Sequence, residues 1–321
     1  MPIDSALLRE LCSRTLATTN FSGLGTRIEG KVRDSYVEEK RRTIVVSDRV
    51  SCFDVVVGTI PLKGQVLNQM AAFWFERTRE LAANHLIAVP DPNVSIVREV
   101  KIQPVEFVTR AYLTGVTSTS IWTTYARGER EYCGHRLPEG LRKHEQLPHA
   151  IVTPTTKAEQ GAHDELTSRA EIVRSGAMSA ELYERAEALA LRMFAAGSAW
   201  AASRGLILVD TKYEFGLDEA GNLVVADEIH TPDSSRYWYT DAYAASMSAG
   251  ADPKALDKEY VRRWLVSERG YQGNGPPPRL PDDVRIEAAR RYIEAFEQLS
   301  ASAFAPDTSE PLARIRRNLG L

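Results

Sequence analysis

The first third of the chain alternates apolar and polar residues with a period of two, the pattern of half-buried strands. It predicts strands over Lys31–Val37, Thr43–Ser47, Val55–Ile60, Val97–Ile102 and Val105–Ala111, with a polar turn at Glu38–Arg41. One helix interrupts them: Val66, Met70, Phe73, Trp74 and Leu81 recur near helical spacing, and Pro90-Asp91-Pro92 ends the segment that follows. Further on, Ser179 is a good N-cap with Glu181 in the first turn. Leu182, Ala186, Leu189 and Met193 then form one apolar stripe, and Gly205 stands where a C-cap glycine belongs. A short segment around Tyr260–Leu265, a GNGPPPRLP loop at Gly273–Pro281 and an amphipathic helix from Asp282 to Ser300 complete the pattern, the last with Val284, Ala288, Tyr292, Phe296 and Leu299 as its core stripe. The predicted class is α+β, with a small antiparallel β-rich lobe over residues 1–108, a larger α+β lobe over 109–321, and a ligand cleft between them.

The stretch LILVDTKYEFGLDEAGNLVVADEIHTPDSSRYW, Leu206 to Trp238, breaks the ordinary hairpin pattern, because charges fall in the middle of its apolar runs. Alternation puts Val209, Thr211, Tyr213 and Phe215 on one face and Asp210, Lys212 and Glu214 on the other. A turn in which Leu217 pairs with Asn222 sets Lys212 opposite Asp227, with Glu214 diagonal to it on the same face, and turns Glu228 to the opposite face. Two carboxylates so close repel unless a cation lies between them. A hard oxygen-seeking ion such as Mg²⁺, which takes one or two carboxylates and completes its shell with water and phosphate, suits that position. The bland alternative is the solvated outer face of a surface hairpin with a cross-strand Lys–Asp pair.

Composition adds limits rather than a direction. The 321 residues are 43% hydrophobic and 26% charged, with a formal net charge of −3. That balance gives no electrostatic footprint for nucleic acid or an anionic membrane. No apolar run reaches the length of a membrane span, and MPIDSALLRE lacks a basic segment followed by an apolar one, so the expected location is the cytoplasm. Cys12, Cys52 and Cys133 are odd in number, far apart and without Cys-x-x-Cys spacing, which fits reduced thiols rather than a zinc site. A monomer and a small homo-oligomer both remain open.

Near the N-terminus, Gly30-Lys31-Val32-Arg33-Asp34 follows a Gly23-Leu24-Gly25 turn and opens a strand, with Lys31 and Arg33 alternating onto one face. A point charge beside a guanidinium fork can hold polyphosphate, although a solvated strand would look the same. Several stretches read together go further: GKVRDSY at 30–36, SDRVSCFDVV at 47–56, VEFVTRAYLTG at 105–115, TPTTKAEQGAHDE at 153–165, DTKYEFG at 210–216 and VADEIHTPDSSRYW at 225–238. In this order and at these separations the set resembles the SAICAR synthetase (phosphoribosylaminoimidazole-succinocarboxamide synthase) family, over about residues 24 to 300. The length and the insertions around the fourth motif resemble the longer, yeast-type members.

The resemblance implies an ATP-dependent carbon–nitrogen ligase of purine biosynthesis. It joins L-aspartate to the carboxylate of an aminoimidazole ribotide and releases ADP and phosphate. Every ligand is an anion, so such a site needs Mg²⁺, lysines and arginines at its centre. By the resemblance, Glu214 and Asp227 bind Mg²⁺, and Lys212 contacts the transferring phosphate or the activated carboxylate. Lys31, Arg33 and the backbone around Val32 embrace the ATP phosphates, and Ile102–Glu106 reads adenine through backbone groups as a hinge. Arg110 and Arg236 match ribotide-phosphate ligands, with Asp233, Ser234 and Ser235 adding donors or orienting Arg236. Lys157 and Asp164 face the aspartate substrate, beside His163, which is either a base or a hydrogen-bonding loop residue. Ser51 and Asp54 face the ribotide or the aspartate, or stabilise their turn. Asp210 is either a residue behind the ligand contacts or a strand-end charge. The family's Arg-Gly-Tyr-x-Thr-Gly-Ser pattern departs here to Arg110-Ala111-Tyr112-Leu113-Thr114-Gly115-Val116, and Ser118 is the candidate substitute for the missing serine.

Two other readings compete. A small-molecule kinase would share the ATP lobe, but no His-Arg-Asp-x-x-x-x-Asn run is present. A nucleotide-binding regulatory module without turnover would leave Glu214 and Asp227 dispensable.

Overall fold

A computed structural model describes residues 3–156, 165–256 and 259–321. In chain order the elements begin with helix α1 (Ser5–Leu11), strands β1 (Thr26–Glu29), β2 (Arg33–Val37), β3 (Arg41–Val46), β4 (Arg49–Cys52) and β5 (Val55–Thr59), and helix α2 (Lys63–Arg77). Strands β6 (Leu86–Asp91), β7 (Val94–Arg98) and β8 (Lys101–Tyr112) precede helix α3 (Ile121–Ala126), followed by β9 (Glu131–Tyr132), β10 (His135–Arg136), β11 (Gln146–Thr156) and β12 (Glu165–Leu166). Helices α4 (Arg169–Ser175) and α5 (Ala180–Ser203) lead into β13 (Leu206–Leu217), β14 (Leu223–Ala226) and β15 (Ser235–Tyr239). Helices α6 (Thr240–Ala249), α7 (Glu259–Arg269), α8 (Asp282–Ser300) and α9 (Pro311–Leu319) close the chain.

The strands form an α+β fold around two large antiparallel sheets, with β4-β5 and β9-β10 as separate two-stranded pairs. One has the order β1-β2-β3-β7-β6; the other has β12-β11-β8-β13-β14, with β15 also paired to β13. Helix α5 packs its Tyr183, Ala186, Leu189 and Met193 stripe under β13, β8 and β11, while α2 and α8 pack together. Alternation holds along β8: Val105 and Phe107 enter the core, and Glu106, Val108 and Arg110 face the opposite side, half-buried. The two sheets are tied where Val225 of β14 exchanges backbone hydrogen bonds with Ala83 and His85. Among the described residues no helix is long and apolar enough to cross a membrane.

Several local expectations change. Short strands β1, β4 and β6 and helix α1 escaped the periodicity reading because four to seven residues carry too little pattern, and Leu81 lies beyond the end of α2. The hairpin register differs by one residue: Leu217 pairs with Leu223 and Glu214 with Ala226, because Asp218 folds the turn by accepting the backbone N–H groups of Ala220 and Asn222. An irregularity between Leu208 and Asp210 also shifts the face of β13. Leu206 and Leu208 share the main core with Tyr213 and Phe215, whereas Val209 packs in a separate cluster with Tyr112 and Trp238.

Candidate active site

Strand β13 has β8 along one edge and two short partners along the other, β15 beside residues 206–211 and β14 beside 214–217. The chain leaves β14 at Ala226, runs through Asp227–Ser234 and returns in β15. Its gap falls beside Lys212, whose N–H donates to the Ser234 carbonyl at 3.0 Å. The charges stand mid-strand because the neighbouring strand is split there.

Two rows of side chains cross the sheet on this face. In the first, Arg110 of β8, Asp210 of β13 and Arg236 of β15 are direct cross-strand neighbours. Arg236 Nε donates to Asp210 Oδ1 at 2.9 Å and its Nη2 to Oδ2, while Arg110 Nη1 reaches Oδ2 at 3.2 Å and its Nε donates to Thr153 Oγ1 at 2.9 Å. Asp210 is buried, which opposes its charge, but the two guanidiniums win and hold its carboxyl below the usual carboxylate range. One carboxylate thus orders two arginines, and Asp210 is no strand-end charge.

The second row sets Glu106 directly opposite Glu214, a repulsive pairing unless a cation intervenes. Lys212 supplies it: its Nζ lies 2.8 Å from Glu106 Oε1, 2.5 Å from Glu214 Oε1 and 3.7 Å from Asp227 Oδ2. Burial works against the ammonium, yet Glu214 and Glu106 raise its pKa above the usual lysine value. Glu214 is only 6% exposed, so this face is not the solvated outside of a surface hairpin.

The turn after β14 closes the cluster. Asp227 adopts a left-handed conformation (φ 64°), which ends strand alternation. The expectation that Glu228 faces away from Asp227 therefore fails. Arg33 reaches both, pairing with Asp227 through Nη1 and with Glu228 Oε1 through Nη2 at 2.6 Å, while Thr231 Oγ1 donates to Glu228 Oε2. Below the turn, His230 contacts the Tyr213 hydroxyl through Nε2 at 2.5 Å. Gly197 of α5 leaves room for the ring, since a Cβ there would come within 2.2 Å of it.

The other predicted residues are more dispersed. Lys31 lies in the turn before β2 and pairs with Asp54 at 2.5 Å, so Lys31 and Arg33 serve different partners rather than one strand face. Asp54 and Phe53 form the left-handed turn joining β4 to β5, one residue beyond Cys52, with Ser51 half-buried on β4. Asp233 binds buried Lys63 at 2.8 Å and accepts the Tyr292 hydroxyl at 2.6 Å, tying the 227–234 turn to α2 and α8. Ser235 hydrogen-bonds Thr211 at 2.7 Å. Ser118 is exposed, and its carbonyl accepts from Arg127. Buried Ser120 caps α3 and presses on Gly115, where a Cβ would sit 2.4 Å from the serine Cβ. Lys157, His163 and Asp164 lie outside the described residues. Sequence reasoning missed Lys63 and the pairing of Glu228 with Arg33, whereas Asp210 stands behind the arginines as one of its two alternatives had it. For Lys63, a lysine opening an apolar helix was an available signal.

Carboxylate oxygens in the second row are hard donors of the kind Mg²⁺ takes. Among the described residues, no group of three or more His, Cys, Asp or Glu is disposed to hold a metal by itself. Glu214 and Asp227 are the two carboxylates that an ion completing its shell with water and phosphate would use.

Comparison with known proteins shows the family. The sequence model of the SAICAR synthetase family matches residues 26–278. A phosphoribosylaminoimidazole-succinocarboxamide synthase of Legionella pneumophila is 46% identical over 285 residues, 89% of this chain and 91% of that one. The structure of a SAICAR synthase from Saccharomyces cerevisiae complexed with SAICAR superposes with a TM-score of 0.78 at 30% identity, covering 91% of this chain and all of the yeast chain. A SAICAR synthetase from Pyrococcus horikoshii shares the fold at a TM-score of 0.63 and 23% identity, over 85% of this chain and 100% of its own. With the family's sequence and fold running through nearly its whole length, this chain belongs to the SAICAR synthetase family of carbon–nitrogen ligases in purine biosynthesis.

Proposed function

We propose that the family's reaction is carried out on the β8–β13–β15 face, with the two rows dividing the labour. The reaction joins L-aspartate to 5-amino-1-(5-phosphoribosyl)imidazole-4-carboxylate at the expense of ATP. Arg110 and Arg236, held side by side by Asp210, bind the ribotide phosphate bidentately, with Ser235 steadying the base of the row. Lys31, Arg33 and the backbone at Val32 hold the ATP phosphates, and the stretch 102–106 borders the adenine. Arg33 exchanges part of its pairing with Asp227 and Glu228 for phosphate as nucleotide enters.

Glu214 and Asp227 are the residues suited to hold Mg²⁺. When bound, the ion neutralises phosphate charge and draws the triphosphate into line. Lys212 then turns from its carboxylates toward the transferring phosphoryl oxygen, supplying positive charge where the transition state becomes more anionic. The ribotide carboxylate oxygen attacks the γ-phosphorus and ADP leaves. The aspartate amine next attacks the carboxyl carbon, loses a proton, and phosphate departs as the amide forms. Ser51 and Asp54 border the aspartate end of the cleft in this reading, with Lys157 and Asp164 of the TPTTKAEQGAHDE motif as its further ligands.

The lobe division proposed with this site is residues 1–108 for nucleotide and 109–321 for ribotide, metal and aspartate, with β8 as the shared wall. A cytoplasmic location goes with it, in keeping with cysteines that form no disulfide. The observation that carries the reading is the Lys212 ammonium among Glu106, Glu214 and Asp227, two strand positions from a double-arginine clamp. The test is sustained ADP release over many turnovers: it should require the ribotide and L-aspartate together. Equal ADP release without either one would reject this division of roles.

A further inference from the structure

The GKVRD turn is held from behind by a buried arginine that contacts none of the proposed ligands. Arg49 is 6% exposed. Its Nε donates to the Lys31 carbonyl at 3.0 Å, Nη2 donates to the Gly30 carbonyl at 3.0 Å and Asp34 Oδ1 at 2.8 Å, and Nη1 donates to the Ala17 carbonyl. One residue on, the Val32 carbonyl accepts both the Ser47 hydroxyl at 2.7 Å and the Ser47 N–H at 3.1 Å. Three consecutive carbonyls, 30 to 32, are thus drawn toward the Ser47–Arg49 segment. In an extended strand they would alternate.

The peptide unit is planar and trans, so each amide N–H points opposite to the carbonyl before it. Turning carbonyls 30, 31 and 32 to one side therefore sends the N–H groups of Lys31, Val32 and Arg33 to the other. Successive N–H groups gathered on one side form an anion-binding concavity. Asp34 gives the clamp its footing. It is fully buried and accepts the Thr19 N–H at 2.6 Å and the Thr19 hydroxyl at 2.9 Å while its other oxygen holds Arg49. Burial opposes the Asp34 charge, but Arg49 and Thr19 outweigh it and lower the carboxyl pKa. Within the motif, lysine and arginine reach outward and the aspartate reaches in to fix Arg49.

We infer that Arg49, seconded by Ser47, is a positioning residue for nucleotide: it shapes the backbone of Gly30–Arg33 into a phosphate cradle without touching the phosphate. This rests on the proposed role of that turn in holding ATP. The test is calorimetric titration of ADP and, separately, of the ribotide into the full chain carrying Arg49→Lys, Ser47→Ala or Lys31→Ala. Lysine keeps the charge of Arg49 but lacks the fork that binds two carbonyls at once.

Arg49→Lys should weaken ADP binding about tenfold, the worth of one or two lost hydrogen bonds, and raise KM for ATP in step while ribotide affinity stays at the wild-type value. Ser47→Ala, which frees only the Val32 carbonyl, should weaken ADP about threefold, and it carries the test if Arg49→Lys does not fold. Wild-type ADP affinity in Arg49→Lys and Ser47→Ala, with Lys31→Ala weakened, overturns the inference alone. Wild-type ADP affinity in all three removes the nucleotide reading of the turn as well. An equal loss for ADP and ribotide in Arg49→Lys marks a general structural role and also overturns the inference.

Discussion

Asp210 and Lys212 stand two residues apart on one face of one strand, and their surroundings are inverted. Asp210 is a single carboxylate between two guanidiniums, with Arg110 on one side and Arg236 on the other. Lys212 is a single ammonium among the carboxylates of Glu106, Glu214 and Asp227. The first neighbourhood keeps an excess of positive charge and welcomes an anion; the second keeps an excess of negative charge and welcomes a cation. Asp210 is buried and Lys212 half-buried, and both stay ionised, because specific partners outweigh desolvation. The contrast shows how a sheet holds a metal–phosphate substrate: opposite charges alternate along a strand at its spacing of about 6.6 Å per two residues. Neither centre titrates near neutral pH.

The largest effect should come from the anionic neighbourhood. Glu214→Gln should lower turnover by about a thousandfold, as removal of a central electrostatic group does, with an unchanged circular dichroism spectrum. A fully active Glu214→Gln enzyme with the wild-type magnesium dependence would erase the distinction between the two rows. In the cationic neighbourhood, Asp210→Asn leaves both arginines present but loosely aimed. KM for the ribotide should rise about tenfold to a hundredfold with kcat nearly kept, since bidentate geometry is what is lost. A fall in kcat with constant KM would assign Asp210 to the chemistry instead.

Beneath these rows, protonation governs stability rather than activity. Burial depresses His85 and His230 from a usual 6.5 to about 3, Arg33 and Arg42 contributing at His85. A depressed pKa gives stability that is complete above about 6.5 and lost as pH falls toward 3. Burial pushes Asp48 the other way, from 3.8 up to about 6, against the backbone N–H groups of Gly64 and Leu16 that it accepts. Its contribution is complete below 3.8 and lost as pH rises through 6. Two groups against one, the urea midpoint should fall as the pH drops from 6 to 4. A flat or rising midpoint over that interval would refute the balance. The smallest effect belongs to the mouth of the cleft. Lys31 and Asp54 are both about half exposed, so Asp54→Asn should leave thermal stability within about 0.5 kcal/mol of wild type. Any activity change in it then reports on ligands alone.

The sequence made long periodic elements legible: α5 has the N-cap and both α5 and α8 the apolar stripes their residues predict, and the charged face of β13 was readable from alternation. Short strands, the turn register and the break near Leu208 were not, because each depends on a few hydrogen bonds made by neighbouring segments. Glu228 illustrates the limit. Alternation sends it away from Asp227, yet one left-handed residue brings both carboxylates onto Arg33, which lies nearly two hundred residues away in sequence. Arg49 was equally hidden, since an arginine in SDRVS gives no hint that its fork is spent on carbonyls of a turn eighteen residues earlier.

The order and chemistry of the motifs determined which side chains this protein commits to anionic reactants, because residue types and strand periodicity are local properties. The tertiary structure alone decided which of those charges meet. Strand β13 is flanked by β8 and by a split partner, so residues about a hundred positions apart become cross-strand neighbours, and burial then turns their mutual distances into fixed charge states.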